Sequence, residues 1–117
     1  MNPKQQKPMS ARDHEKIEII INATCSYFNI ERAVIGMPGK ACTKIRRICF
    51  FLISKNTDIS SGHIAELFNK NKAQSSRGIE LISAHAGIYA TLSQQIKDIA
   101  YICNKFEPKL YEWHIQH

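Results

Sequence analysis

Apolar residues recur at steps of three and four through most of the chain, which is the spacing of one helix face. In residues 11–28 these steps pass through Ile17, Ile21, Cys25 and Phe28. Similar steps predict further helices over residues 40–55, from about 61 to 68, from about 73 to 85, and from Thr91 or Ser93 to residue 106. No stretch alternates apolar and polar residues as a half-buried strand does. The pattern therefore predicts an all-α fold, a small helical bundle.

Polar and glycine-containing segments separate these helices. Ser10 is a candidate N-cap for the first helix, and Asn29 ends it. Residues 36–39, Gly-Met-Pro-Gly, are rich in the residue types that form turns, so we expect a loop there. Only two residues separate the glycines and Ala41 follows Lys40, so this loop does not match a phosphate-binding loop, which needs four residues there and Ser or Thr after the lysine.

The organising stretch is residues 45–78. Its apolar helix ends at a polar break, and Ser60 or Ser61 then caps a short helix with Ile64, Leu67 and Phe68 on its inner face. A turn follows over residues 69–72, where Asn69 or Asn71 is expected in the left-handed conformation. A new helix then opens with Gln, Ser, Ser and Arg. This is the layout of a helix-turn-helix preceded by a supporting helix.

Length and composition indicate a single domain without a membrane span. The chain has 117 residues, of which 44% are hydrophobic, and no apolar run approaches the roughly 20 residues that a span needs. We expect a flexible arm over residues 1–10, the helical domain over 11–106 and a tail over 107–117. The arm lacks the apolar centre of a secretion signal, so we expect a cytoplasmic protein. The apolar tail either folds back or contacts a second copy or a partner protein.

The excess of positive charge is confined to one part of the chain. Residues 40–77 hold eight basic and two acidic residues, which accounts for the whole net charge of +6, because the remaining residues hold eight of each sign. Such a localised excess is typical of phosphate binding, and a solvated basic face is the alternative interpretation. Charge alone does not distinguish the two.

No group suited to catalysis or metal binding stands out. The four cysteines form no Cys-x-x-Cys pair and lie among aliphatic residues, which indicates small buried hydrophobes, and the five histidines are scattered. No carboxylate pair or nucleophile with a base occurs at a usable spacing. We expect neither an enzyme nor a metal site nor a cofactor.

Three segments together resemble a known family. Arg-Arg-Ile-Cys-Phe-Phe-Leu at residues 46–52, Ile-Ser at 59–60 and His-Ile-Ala-Glu-Leu-Phe at 63–68 are similar, without insertions, to the C-terminal DNA-binding domain of the bacterial replication initiator DnaA. That family has a Trp-repressor-like helix-turn-helix fold. The resemblance covers about residues 15–106. It implies that Arg46 reaches the minor groove and that Lys40 and Lys44 contact the DNA backbone.

The resemblance weakens at the recognition helix. The family has Arg-Asp-His-Thr-Thr-Val there, and residues 71–76 of this chain are Asn-Lys-Ala-Gln-Ser-Ser. The Asp-His pair is missing, so the resemblance does not extend to the initiator's own DNA box. The family's ATPase domain is also absent from these 117 residues.

The sequence therefore predicts a non-enzymatic, double-stranded DNA-binding protein acting in DNA replication or transcription control. The alternative is a helical protein-interaction or dimerisation module that kept the fold and lost DNA binding. The predicted DNA contacts are the basic residues and the short polar residues of the organising region: Lys40, Lys44, Arg46, Arg47, Lys70, Lys72, Gln74, Ser75, Ser76 and Arg77.

Overall fold

The computed structural model describes residues 9–106 as a helical bundle. No strand occurs in this part of the chain, which confirms the all-α prediction. None of its helices combines the length and apolar character that crossing a bilayer requires. The predicted arm, apart from Met9 and Ser10, and the predicted tail lie outside the described residues. The elements are α1 (Ala11–Phe28), a short 3₁₀ helix (Arg32–Val34), α2 (Lys40–Asn56), α3 (Ser61–Leu67), α4 (Lys72–Ala86) and α5 (Ala90–Phe106).

Helix ends follow the local capping chemistry that the sequence indicates. The Ser10 hydroxyl accepts a hydrogen bond from the Asp13 N–H at 3.0 Å and starts α1. Asn29, with φ of 53°, ends this helix in the left-handed conformation. Ser60 caps α3 in the same way as Ser10 caps α1, through the His63 N–H at 3.1 Å. The bounds of α1 match the prediction, and α4 begins one residue earlier than expected. Helix α5 begins at Ala90, before both predicted starts, Thr91 and Ser93.

Helix α2 is the centre of the core and packs against α1, α3 and α4. Its residues 48–53 are all buried, including Phe50 and Phe51. The Phe50 ring meets the Phe68 ring of the α3 end edge-to-face, with centroids 5.1 Å apart. Helix α5 closes the other side of α1 and also touches α4. Burial of one continuous helix by three neighbours explains why the apolar arc of α2 is wider than a single stripe.

The inner face of α3 is narrower than predicted. Ile64 and Phe68 are buried, as expected, but Leu67 is 39% exposed. Helix α3 is only seven residues long and rests on α4 by one side, so its last turn points Leu67 away from the core. The sequence prediction for Leu67 was therefore wrong.

A glycine sits where α2 and α4 approach most closely. A Cβ atom built on Gly78 would lie 2.8 Å from Arg47 Cγ and 3.2 Å from Phe50 Cδ2, closer than packed carbon atoms tolerate. Gly78 is buried in the middle of α4, a position where glycine is otherwise unfavourable. Its missing side chain sets the distance between the two helices.

Three of the four cysteines are buried and all four are free thiols. Cys25, Cys49 and Cys103 lie in the core and Cys42 is half-buried. Burial raises the pKa of Cys49 and of Cys103 to about 12. These thiols therefore pack as small apolar groups, as the sequence predicts.

Replacing Gly78 by alanine is expected to destabilise the fold. The added methyl group must push apart Arg47 and the Phe50 ring, which outweighs the better helix propensity of alanine and lowers the free energy of unfolding by about 1–2 kcal/mol. Urea unfolding followed by far-UV circular dichroism measures this. Gly87→Ala is the matched control, because the nearest atom to its added Cβ is 3.8 Å away. Equal stability of both variants would contradict the close approach at Gly78.

The buried thiol of Cys103 predicts a loss of stability at alkaline pH. Its pKa is raised in the folded protein to about 12 from an ordinary value of 9.0, so the unfolded chain releases this proton first. The stabilising contribution is complete below about pH 9 and is lost as the pH rises towards about 12. Cys103→Ala removes the group, so its stability should fall less steeply than that of the unmodified protein over this range. Parallel pH curves from urea unfolding would contradict the prediction.

Candidate nucleic-acid interface

Helices α2 and α4 pack against each other and place the cations of α2 along a groove. Arg47 meets Gly78, and the earlier turns of α2 face the later turns of α4. Lys40, Lys44 and Arg47 follow one another at steps of four and three residues and so share one side of α2. The groove has a volume of about 530 Å³. It is lined by Gly39, Lys40, Thr43, Lys44, Arg47, Leu81, Ile82, His85 and Leu92.

The exposed side of α4 continues this groove toward the start of the helix. Gln74, Arg77, Leu81 and His85 follow one another at three- and four-residue steps, so they lie on one stripe. Leu81 and His85 line the groove, and Gln74 and Arg77 are exposed. Arg77 is also the immediate neighbour of Gly78, which packs on Arg47. Arg77 thus lies on the α4 stripe that leads into the groove, and it does not itself line the groove.

The turn before α4 holds the remaining predicted cations. Asn69 adopts the left-handed conformation with φ of 56°, which resolves the predicted choice between Asn69 and Asn71. Lys72 is exposed at the first turn of α4, and Lys70 is half-buried in the turn. Neither lines the groove. At 1.5 Å per residue and 3.6 residues per turn, Lys72 stands roughly 20 Å from His85 along α4 and about 140° around the helix, so it lies off the stripe that contains Arg77 and His85.

Gln74 has a structural role as well as an exposed position. The Asn71 side chain accepts the Gln74 N–H at 2.9 Å, and Gln74 Oε1 accepts the Asn71 N–H at 3.1 Å. This reciprocal capping box stabilises the start of α4. It occupies the carbonyl of the Gln74 amide, and the NH₂ group remains able to donate a hydrogen bond to a ligand.

Ser75 does not belong to the exposed surface. It is fully buried, and its hydroxyl donates to the Ser61 carbonyl at 2.6 Å and lies 3.1 Å from the Lys72 carbonyl. The half-buried Ser76 hydroxyl donates to the Ser61 hydroxyl at 3.1 Å. Both serines thus fix the start of α3 against the first turns of α4. We remove Ser75 from the predicted DNA contacts because its hydroxyl is used inside the protein.

Arg46 is also an internal group. Only 6% of it is exposed, and its guanidinium donates to the Ile35 carbonyl at 2.9 Å, the Met37 carbonyl at 3.2 Å and the Thr43 hydroxyl at 3.3 Å. Burial lowers the pKa of Arg46, and the nearby charge of Arg47 acts in the same direction. The side chain ties the loop before α2 to that helix. Because the guanidinium is buried and bound inside the protein, Arg46 is not positioned for the minor-groove contact that the resemblance implies.

The cations of the candidate face carry no internal counter-charge. Within residues 9–106, Lys40, Lys44, Arg47, Lys72 and Arg77 form no ion pair. An ion pair joins Arg32 and Glu18, elsewhere on the surface. No acidic residue among those described lines the groove, and the one acidic residue of α4, Glu80, is exposed one turn beyond Arg77. The face therefore presents a field that favours anions.

His85 is a part of this face that the sequence analysis did not select. It lines the groove beside Lys44, and its ring meets the Tyr89 ring edge-to-face with centroids 5.5 Å apart. The steps from Arg77 to Leu81 and to His85 were a signal that could have indicated its position. Sequence reasoning treated the histidines as scattered because periodicity alone does not show which neighbour a helix face meets.

No protein-family model matches this chain, and no curated protein matches it significantly. In the part of the chain that the structure describes, no group of three potential metal ligands comes together.

The internal role of Arg46 predicts a large loss of stability when it is removed. Arg46→Ala leaves the Ile35 and Met37 carbonyls without their charged donor, and the free energy of unfolding should fall by about 2–4 kcal/mol. Lys44→Ala is the matched control, because Lys44 is an exposed cation on the same helix, and its effect should stay within about 0.5 kcal/mol. Urea unfolding measures both. An Arg46→Ala variant as stable as the control would contradict the assignment.

Proposed function

We propose that this protein binds double-stranded DNA through a helix-turn-helix in which α4 is the recognition helix, α3 its partner and α2 the supporting helix. The observation that carries the proposal is the row of cations Lys40, Lys44 and Arg47 along the groove between α2 and α4, with Arg77 exposed on the α4 stripe that leads into it. None of these four cations forms an ion pair within residues 9–106. Phosphate groups need such a face, because neutralising them releases condensed counterions.

The placement of α4 supports insertion into a groove. Its Gln74 and Arg77 side chains are exposed, and the neighbouring buried side of the helix is packed on α2 and α3. The major groove of DNA is wide enough to admit an α-helix. Arg77 and the Gln74 NH₂ group are then the side chains that meet base edges, since arginine pairs with guanine and glutamine with adenine.

The other cations act on the DNA backbone. Lys70 and Lys72 lie at the start of α4, and Lys40, Lys44 and Arg47 lie beside its second half. Contacts on both sides of an inserted helix fix its register on the duplex without reading sequence. This division leaves Arg46 and Ser75 as groups that hold the domain together.

A role in DNA replication or transcription control follows from the resemblance to the DnaA C-terminal domain. The resemblance lies in α2 and α3, which support the recognition helix, and it is weakest in α4, which reads sequence. A target site different from the initiator's box is therefore part of the proposal. Selection of bound duplexes from a random pool would identify that site.

The second candidate is a protein-interaction module that kept the fold and lost DNA binding. Its sequence basis, the apolar residues of the tail, lies outside the described residues. An exposed apolar pair at the start of α5, Ile88 and Tyr89, favours a protein contact independently. The two candidates differ in whether duplex DNA binds at all.

Duplex binding measured by fluorescence anisotropy at low salt tests the proposal. The five cations assigned above to the DNA backbone would make five phosphate contacts. We therefore expect a plot of log affinity against log salt concentration to have a slope of about −4 to −5. Arg77→Ala should weaken binding by about 1–3 kcal/mol, and Lys72→Ala should reduce the slope by about 1. Lys97→Ala, an exposed cation on α5, is the control and should bind like the unmodified protein. If Arg77→Ala and Lys72→Ala both bind DNA unchanged, the proposal fails.

A further inference from the structure

The groove between α2 and α4 extends beyond the basic face. A second cavity of about 480 Å³ continues it toward the α4–α5 connection and shares Lys44, His85 and Leu92 with it. The two cavities adjoin at these three residues, and we refer to them together as the channel, whose lining includes residues from Gly39 to Thr91. Its length and openness suit an extended or helical segment of another chain better than a small enclosed ligand.

The floor of this channel is apolar. Leu81, Ile82 and Leu92 line it, and at its far end Ile88 is 71% exposed and Tyr89 is 56% exposed. Two large side chains exposed side by side next to an apolar floor mark a contact surface rather than scattered surface residues. DNA phosphates do not use such a floor, so DNA binding leaves it unexplained.

The rim of the channel is cationic. Lys40, Lys44 and Arg47 stand along α2 and His85 stands on α4, and no acidic side chain from residues 9–106 lines either part. A chain that fills this channel must therefore bring apolar groups for the floor and negative charges for the rim. A basic or neutral partner would leave three cations unmatched.

We propose that the α2–α4–α5 channel binds an acidic amphipathic segment of a partner protein, with its apolar side chains on Leu81 and Ile88 and its carboxylates on Lys44 and Arg47. The assignment does not rest on the proposed DNA binding, because the apolar floor and the exposed Ile88 are independent of it. The partner would occupy Lys40, Lys44 and Arg47, which are also proposed DNA contacts, so the two ligands exclude each other.

The probe is a fluorescein-labelled peptide of about 16 residues with leucines at steps of three and four and glutamates at the remaining positions. Fluorescence anisotropy is measured against the full chain without DNA. Saturable one-to-one binding is expected, and two comparison peptides should bind much more weakly. One carries lysine in place of glutamate, and the other carries alanine in place of leucine.

Matched variants locate the binding. Ile88→Ser should weaken the peptide about tenfold, since it removes a large apolar contact, while leaving duplex DNA binding unchanged. Tyr101→Ser is its control, because Tyr101 is equally exposed but lies on α5 outside the channel. Lys44→Gln should weaken the peptide about threefold, and Lys97→Gln should not. The four substituted side chains are all exposed, so each variant should fold. Circular dichroism checks that each variant is folded.

Several results would overturn the proposal. If the acidic peptide does not bind at concentrations up to about 1 mM, or if the lysine peptide binds equally well, the cationic rim does not select an acidic partner. If Ile88→Ser binds the acidic peptide with unaltered affinity, the proposed apolar contact at Ile88 does not form. One-to-one binding of anilinonaphthalene sulfonate that the peptide does not displace would assign the channel to a small anion. A dimer in light scattering that Ile88→Ser dissociates would assign it to a second copy.

Discussion

The close contact of α2 and α4 at Gly78 is the constraint on which the candidate surface depends. Because glycine has no Cβ there, the stem of Arg47 and the ring of Phe50 can lie directly on α4. On one side of this contact the first half of α2 faces the second half of α4. Both the basic face and the apolar channel beside it arise from that arrangement, since each is built from side chains of the two helices.

Polar groups inside the domain hold the elements around this pair of helices. Arg46 ties the loop before α2 to that helix, and Ser75 ties α3 to α4. On the other side, the buried Lys16 of α1 donates to the Asn56 carbonyl at 3.0 Å, at the end of α2 where the helix dipole favours a cation. These bonds use residues far apart in sequence, so the same residue types that suit a DNA surface serve here to position helices.

The basic face and the apolar channel share cations but differ in chemistry. Phosphates are recognised by charge and by hydrogen bonds, and the apolar floor formed by Leu81, Ile82 and Leu92 contributes nothing to that recognition. An acidic amphipathic segment uses both features. Under the two proposals, the same cations would contact both ligands, so a partner protein would compete directly with DNA without a conformational change.

The sequence alone determined the helices, their caps and the location of the charge excess. Periodicity and capping act within a few residues, so local chemistry was sufficient to predict the helices and the Ser10 cap, and it reduced the α3 cap and the left-handed turn residue to two candidates each, of which the structure has Ser60 and Asn69. Only the tertiary structure decided that Arg46 and Ser75 are internal, that Leu67 is exposed and that His85 joins the cations of α2. Whether these side chains are buried or exposed, and what they contact, depends on which other segment packs against them. Periodicity within one helix carries no information about that neighbouring segment.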